Sequence, residues 1–219
     1  KLVIAFVALA LLPIAAIGFY ADGVARDLIN KSVQQDLGKT SNQTALQIDL
    51  YISGQMQGLG TEAQQPFLSD YLELVPGERA GSIQEINARQ MLVIFSRKDP
   101  TFIKSYALLD QHGVNLLDTD EKLVGGREGG YDFFKEAFAN GLPFASTVYF
   151  HDEGVFYISA PVRNERGDAI GVLRAKFDAE IVQSMLLEVL KDEEPTDFLS
   201  VIDKNTCVRL ADTGGAENL

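Results

Sequence analysis

Three strand-like runs, 144–150, 155–162 and 169–177, carry residues at alternate positions that could orient a small charged molecule. One phase of that alternation groups Thr147 with Tyr149, Tyr157 with Ser159, and Arg174 with Lys176. A side-chain period of two puts the members of each pair on one face of a sheet. Tyr106, on an earlier apolar run, is expected to join them, while Arg127 and Tyr131 stand in a glycine-flanked segment that would roof the face. Guanidinium groups are forked donors for a carboxylate, and phenol hydroxyls fix orientation without adding charge. The chemistry so grouped is recognition of a small organic anion in a pocket, weighed against an ordinary amphipathic face meeting solvent. The anion is expected among Tyr106, Arg127, Tyr131, Tyr149, Tyr157 and Arg174, with Phe133 and Phe134 as apolar wall.

Other chemistries fit less well. The run Val124-Gly125-Gly126-Arg127-Glu128-Gly129-Gly130 lacks the Gly-Lys-Ser/Thr ending of a phosphate loop and reads as a connection. Asp118-Thr119-Asp120-Glu121 opens like a calcium loop, but its sixth position is Leu123 where that loop needs glycine. His112 and His151 fall in turns with no ligand-spaced partners, and no Gly-x-Ser-x-Gly elbow is present. No metal, cofactor or catalytic residue is expected. A net charge of −12 argues against a nucleic-acid partner. The single cysteine, Cys207, excludes an intrachain disulfide.

The strands need a scaffold, and the sequence supplies one. Ile103–Asp110, a turn at Gln111-His112-Gly113, and Val114–Leu117 precede the glycine-rich segment and a short helix. The later strands are separated by short polar, glycine-bearing hairpin turns. Five short strands with one helical interruption predict an α+β module built on a mainly antiparallel sheet. Phe156, Ile158, Ala160 and Val162, with Leu173, Ala175 and Phe177, form the opposite phase and are the expected core.

Upstream, Leu2–Ala21 has no charged residue and is long enough for a membrane helix at ~1.5 Å per residue. A cleaved signal peptide is the rival, though its apolar region should be shorter. A long helix follows over 22–65, with Val24, Leu28, Val33, Leu37, Ala45, Ile48, Ile52, Met56, Leu59 and Ala63 on one face. Its membrane end is expected to pair with a second copy, giving a homodimer. Pro66–Leu74 reads as a short helix, and Ser82 with Glu85 is a capping box opening a third that stops near Asp99-Pro100. Ala179–Leu190 is amphipathic, and Lys191–Pro195 is a charged linker. Phe198–Asp203 and Cys207–Leu210 then echo the first hairpin and predict the start of a second similar module.

The ordered runs Gly129–Ala137, Leu142–Tyr149, Ile158–Arg163 and Gly167–Leu173 resemble Cache domains, the PAS-like extracytoplasmic sensors of bacterial receptors. The resemblance covers about Leu28 to Leu210 and matches the two-module order of double Cache receptors. It implies a membrane-distal module over 66–191 and the start of a membrane-proximal one over 192–219. It further implies the periplasmic sensing region of an inner-membrane chemoreceptor, sensor histidine kinase or cyclic-dinucleotide enzyme, without catalysis in this region. Tyr149 and Asp178 match pocket residues of the amino-acid-binding subset. Tyr131-Asp132-Phe133-Phe134 stands where that subset has Arg-x-Trp-Tyr, and His151 where it has aspartate. Without the arginine fork, the resemblance does not support an amino-acid ligand, and the anion expected from the residues themselves is a carboxylate or dicarboxylate. The alternatives are a membrane-tethered hydrolase working through His151 or Asp178, and a ligand-free structural spacer.

Overall fold

The computed structural model describes residues 2–150, 153–189, 199–204 and 207–213; within the first helix, side chains are described at 20, 22–26, 28, 31, 32 and from 34 onward. Helix α1 (Leu2–Glu62) runs without a break through the apolar run and the long amphipathic segment. Among the described residues no helix is long and apolar enough to cross a membrane. The membrane expectation falls on Leu2–Ala21, of which every side chain but that of Tyr20 lies outside the described ones.

The chain divides into two units, Lys1–Ala45 and Leu46–Leu219. In the first, Val24 and Leu28 are exposed, and Arg26 pairs with Asp22 one turn away at 2.9 Å. In the second, Ile48, Ile52, Met56, Leu59 and Ala63 recur at three- and four-residue steps and pack into the main core, as a helical period requires.

Two shorter helices complete that layer. Helix α2 (Pro66–Glu73) opens on a proline at its first turn, where the missing N–H has no helical partner to lose. Ser82 caps α3 (Ile83–Ser96) by accepting the Glu85 N–H at 3.0 Å. The Glu85 carboxylate reaches back to the Gly81 N–H at 2.7 Å, one residue beyond the expected capping box.

The sheet has six strands rather than five: β1 (Ile103–Asp110), β2 (Asn115–Asp118), β3 (Phe144–Ala145), β4 (Tyr149–Phe150), β5 (Gly154–Arg163) and β6 (Ala169–Asp178). They run in the order β2-β1-β6-β5-β3, with β4 also on β5, and every pair is antiparallel. The single strand expected over 144–150 is interrupted. Ala145 opposes Ile158 and Tyr149 opposes Val155, so one extra residue must bulge out between them. There the Ser146 hydroxyl, not a ladder carbonyl, accepts the Tyr157 N–H at 2.9 Å.

Leu173, Ala175 and Phe177 with Phe156, Ile158, Ala160 and Val162 face α1–α3, as their phase predicts. Helix α4 (Asp132–Asn140) covers part of the other face through Phe133, Phe134 and Ala137. Helix α5 (Glu180–Val189) follows β6 directly. Strands β7 (Ser200–Ile202) and β8 (Arg209–Asp212) make the expected second hairpin. The charged linker 191–195 lies outside the described residues.

Candidate ligand-binding site

Strand register decides which predicted residues meet. Tyr157 opposes Lys176 and Ser159 opposes Arg174, so these four share the face covered by α4. Tyr106 does not join them. It opposes Ala175, which opposes Ile158, on the helix-covered face. Its ring packs against Phe95 at 5.8 Å, and burial, then the nearby Glu62 carboxylate, push its pKa well up. Strand β1 is buried on both faces from Ser105 to Leu109, so its sequence carries no alternation to separate them.

Arg174 lies 1% exposed under the glycine-rich segment. Its Nε donates to Glu128 Oε2 at 3.1 Å and its Nη2 to Glu128 Oε1 at 3.0 Å, a bidentate pair. Nη2 also donates to Asp118 Oδ2 at 2.9 Å, and Nη1 to the Ser105 hydroxyl at 2.9 Å. Asn115 Nδ2 bridges the two acids at 2.8 and 3.0 Å. Burial alone would lower the guanidinium pKa; Glu128 and Asp118 outweigh it and raise it. The segment bearing Glu128 lies close because Gly113 and Gly129 let backbone meet backbone. A Cβ on Gly113, whose φ is +73°, would fall 2.3 Å from Gly129 Cα.

Beside the ion cluster stands an aromatic group. Tyr131 stacks on Phe133 at 5.5 Å, Phe133 lies 4.5 Å from Tyr157, Tyr157 lies 5.6 Å from Tyr149, and Tyr149 meets Tyr131 edge-on at 5.7 Å. The Tyr149 hydroxyl donates to Asp132, and burial followed by that carboxylate pushes its pKa up. Ser159 donates to the Phe133 carbonyl at 2.7 Å and ties α4 to β5.

Between the aromatic group and the glycine segment is a cavity of about 370 Å³. It brings together Arg127, Tyr131, Phe133, Tyr157 and Arg174 of the residues expected from sequence. Lys122, Glu128 and Lys176 also line it. Alternation had already put Lys176 on this face. No sequence signal marked Glu128, whose partner lies 46 residues away. Tyr149 touches Tyr131 and Tyr157 but is not part of the lining. Asp178 is held by Lys104 at 2.7 Å and accepts the Glu180 N–H at 3.0 Å. Burial would raise its pKa, but those two bonds leave it lowered. His151 lies outside the described residues. A second cavity of about 440 Å³, lined by Ile48, Ile52, Phe144, Val148, Val182 and Leu210 among others, is larger but mainly hydrocarbon. The smaller one has the convergent polar groups that orient a ligand.

No protein-family model matches the chain, and no curated protein matches it. Solved structures do. The sensory domain of the Campylobacter jejuni chemoreceptor Tlp3, with isoleucine bound, superposes with a TM-score of 0.60 at 14% identity, over 84% of this chain and 72% of that one. The sensor domain of the Vibrio cholerae histidine kinase DctB gives 0.65 at 13% identity, over 83% and 67%. The ligand-binding domain of the Pseudomonas aeruginosa amino-acid chemoreceptor PctC, in complex with GABA, gives 0.55 at 20%, over 80% and 73%. The fold is that of sensory domains. This agrees with the Cache resemblance read from the ordered sequence runs.

Proposed function

We propose that the chain is the extracytoplasmic ligand-sensing region of a transmembrane signalling receptor and binds a small organic ligand in the 370 Å³ cavity. The observation that carries this reading is the cavity itself: tyrosine hydroxyls, an aromatic wall and cations converge on one sheet face of a sensory-domain fold. Arg127, Tyr131, Phe133 and Tyr157 are the proposed contacts, with Arg174 beneath them and Tyr149 and Asp178 flanking.

A carboxylate is favoured over an amino acid. The carboxylate that would clamp an ammonium, Asp178, is already engaged by Lys104, and Asp132 already accepts from Tyr149. Leu2–Ala21 is proposed as the inner-membrane anchor on its uncharged composition. A homodimer through the helix beyond it is supported by the exposed Val24 and Leu28. The region 66–191 would be the membrane-distal module and 192–219 the start of the next.

Thermal melting of the chain with organic acids, amino acids, amines and purines is the test. A ligand at a hundredfold excess over its Kd should add about 2.7 kcal/mol of stability. No stabilisation by any class would leave the spacer reading in its place. Turnover dependent on Asp178 would favour the hydrolase instead. Single cysteines at Val24 and Leu28 should crosslink between copies in membranes, and their failure to do so would remove the dimer.

A further inference from the structure

Resting on the reading of this cavity as the sensor site, its charges say more about the ligand than its shape does. Arg174 looks like the anion fork but is already in use. Its bonds to Glu128, Asp118 and Ser105 take four of the five N–H groups a guanidinium offers. The cluster sets one buried cation against two carboxylates, so it repels an incoming anion rather than attracting it. A ligand carboxylate could fork onto Arg174 only by displacing Glu128, which Asn115 also holds at 3.0 Å.

The other lining cations are differently placed. Lys122, Arg127 and Lys176 face the same cavity, and among the described residues none has an acidic partner within ion-pair distance. Lys176 is half-buried on β6, while Lys122 and Arg127 are exposed on the segment above it. The lone acid of the lining, Glu128, is committed to Arg174. A chain with a net charge of −12 thus gathers around one opening three cations without an acidic partner among the described residues. Like charges so grouped raise one another's energy, and a single negative charge would neutralise only part of the set.

We infer that the ligand carries two or more negative charges, as a di- or tricarboxylate or an organic phosphate does, and that Lys122, Arg127 and Lys176 hold those charges. Tyr131 and Tyr157 hydroxyls orient it, and the Phe133 ring takes its hydrocarbon part. Arg174 is a positioning residue. By clamping Glu128 it fixes the segment on which Arg127, the next residue back, meets the cavity.

The test is calorimetric titration of the full chain with succinate, citrate and glycerol 3-phosphate, against acetate, valine and GABA, at low and physiological salt. Succinate or citrate binding alone points to a polycarboxylate and glycerol 3-phosphate binding alone to an organic phosphate; either supports the inference. Affinity should fall as salt rises. Lys176→Met and Arg127→Met should each weaken the bound dianion about tenfold or more, from loss of one charge-assisted hydrogen bond. The melting temperatures of the unliganded variants show whether each is folded. Acetate, valine or GABA binding as tightly as the dianions would overturn the inference while leaving the sensor reading intact. So would dianion binding indifferent to both substitutions. Binding by none of these compounds would overturn the inference, while the sensor reading would then rest on the wider melting screen.

Discussion

The two faces of the sheet are built from the same strands yet closed by different physics. On the face toward α1–α3, Ile158, Leu173, Ala175 and Phe177 are 0–1% exposed and meet other hydrocarbon. On the face toward α4, Arg174 is as deeply buried as Phe177, and its neighbours Ser105, Ser159, Asn115 and Asp118 are buried polar groups. The first face is closed by removing apolar surface from water, which asks only for volume and shape. Part of the second is closed the same way, where Phe133, Phe134 and Ala137 meet Ala107, Leu109 and Val172, but around Arg174 it is closed by bonds that need partners at the right angle. The 370 Å³ cavity opens beside this polar part of the face. A single strand can serve both faces because successive side chains point opposite ways.

The largest expected effect would come from the polar face. Arg174→Ala should cost about 3–5 kcal/mol in urea unfolding, because it leaves Asp118 and Glu128 buried without their cation. A loss under about 1 kcal/mol would mean that the two acids reach water and the face is not closed by that pair. On the apolar face, Leu173→Ala should cost about 2–5 kcal/mol through lost transfer energy and the hole left behind. It should act additively with changes across the sheet if the faces are independent.

Ser159→Ala is an intermediate test of how α4 is held. Losing its bond to the Phe133 carbonyl should cost about 1–2 kcal/mol, and exchange at α4 amides should rise more than at α3 amides. A uniform rise would show that the two faces open together. The smallest effect is pH-dependent. Asp178 has a folded pKa below its unfolded value, so its contribution is full above the unfolded value, near 4, and is lost as pH falls through the folded one. Asp178→Asn should flatten the acid limb of a stability–pH curve. An unchanged limb would assign the acid sensitivity to other carboxylates.

The residues themselves determined much of this protein. Alternation in 155–162 and 169–177 was legible because one phase of each strand is wholly apolar while the other carries Tyr157, Ser159, Arg174 and Lys176, and it sorted those side chains to their observed faces. The Ser82 cap, the helix start at Pro66 and the stripe from Ile48 to Ala63 were equally legible, since local chemistry sets each of them. Tertiary structure alone decided the rest. Tyr106 belongs to a strand apolar on both sides, so only its pairing with Ala175 could turn it toward the helices. The break at Ser146–Val148 follows from registering 144–150 against a partner one residue shorter over the same span. Arg174 and Lys176 look alike as alternating cations, yet one is bound by two acids and the other by none among the described residues. That difference rests on Asp118 and Glu128, which lie 56 and 46 residues from Arg174. Ion pairing at such separations is a property of the folded chain, because no local pattern encodes which charges will meet.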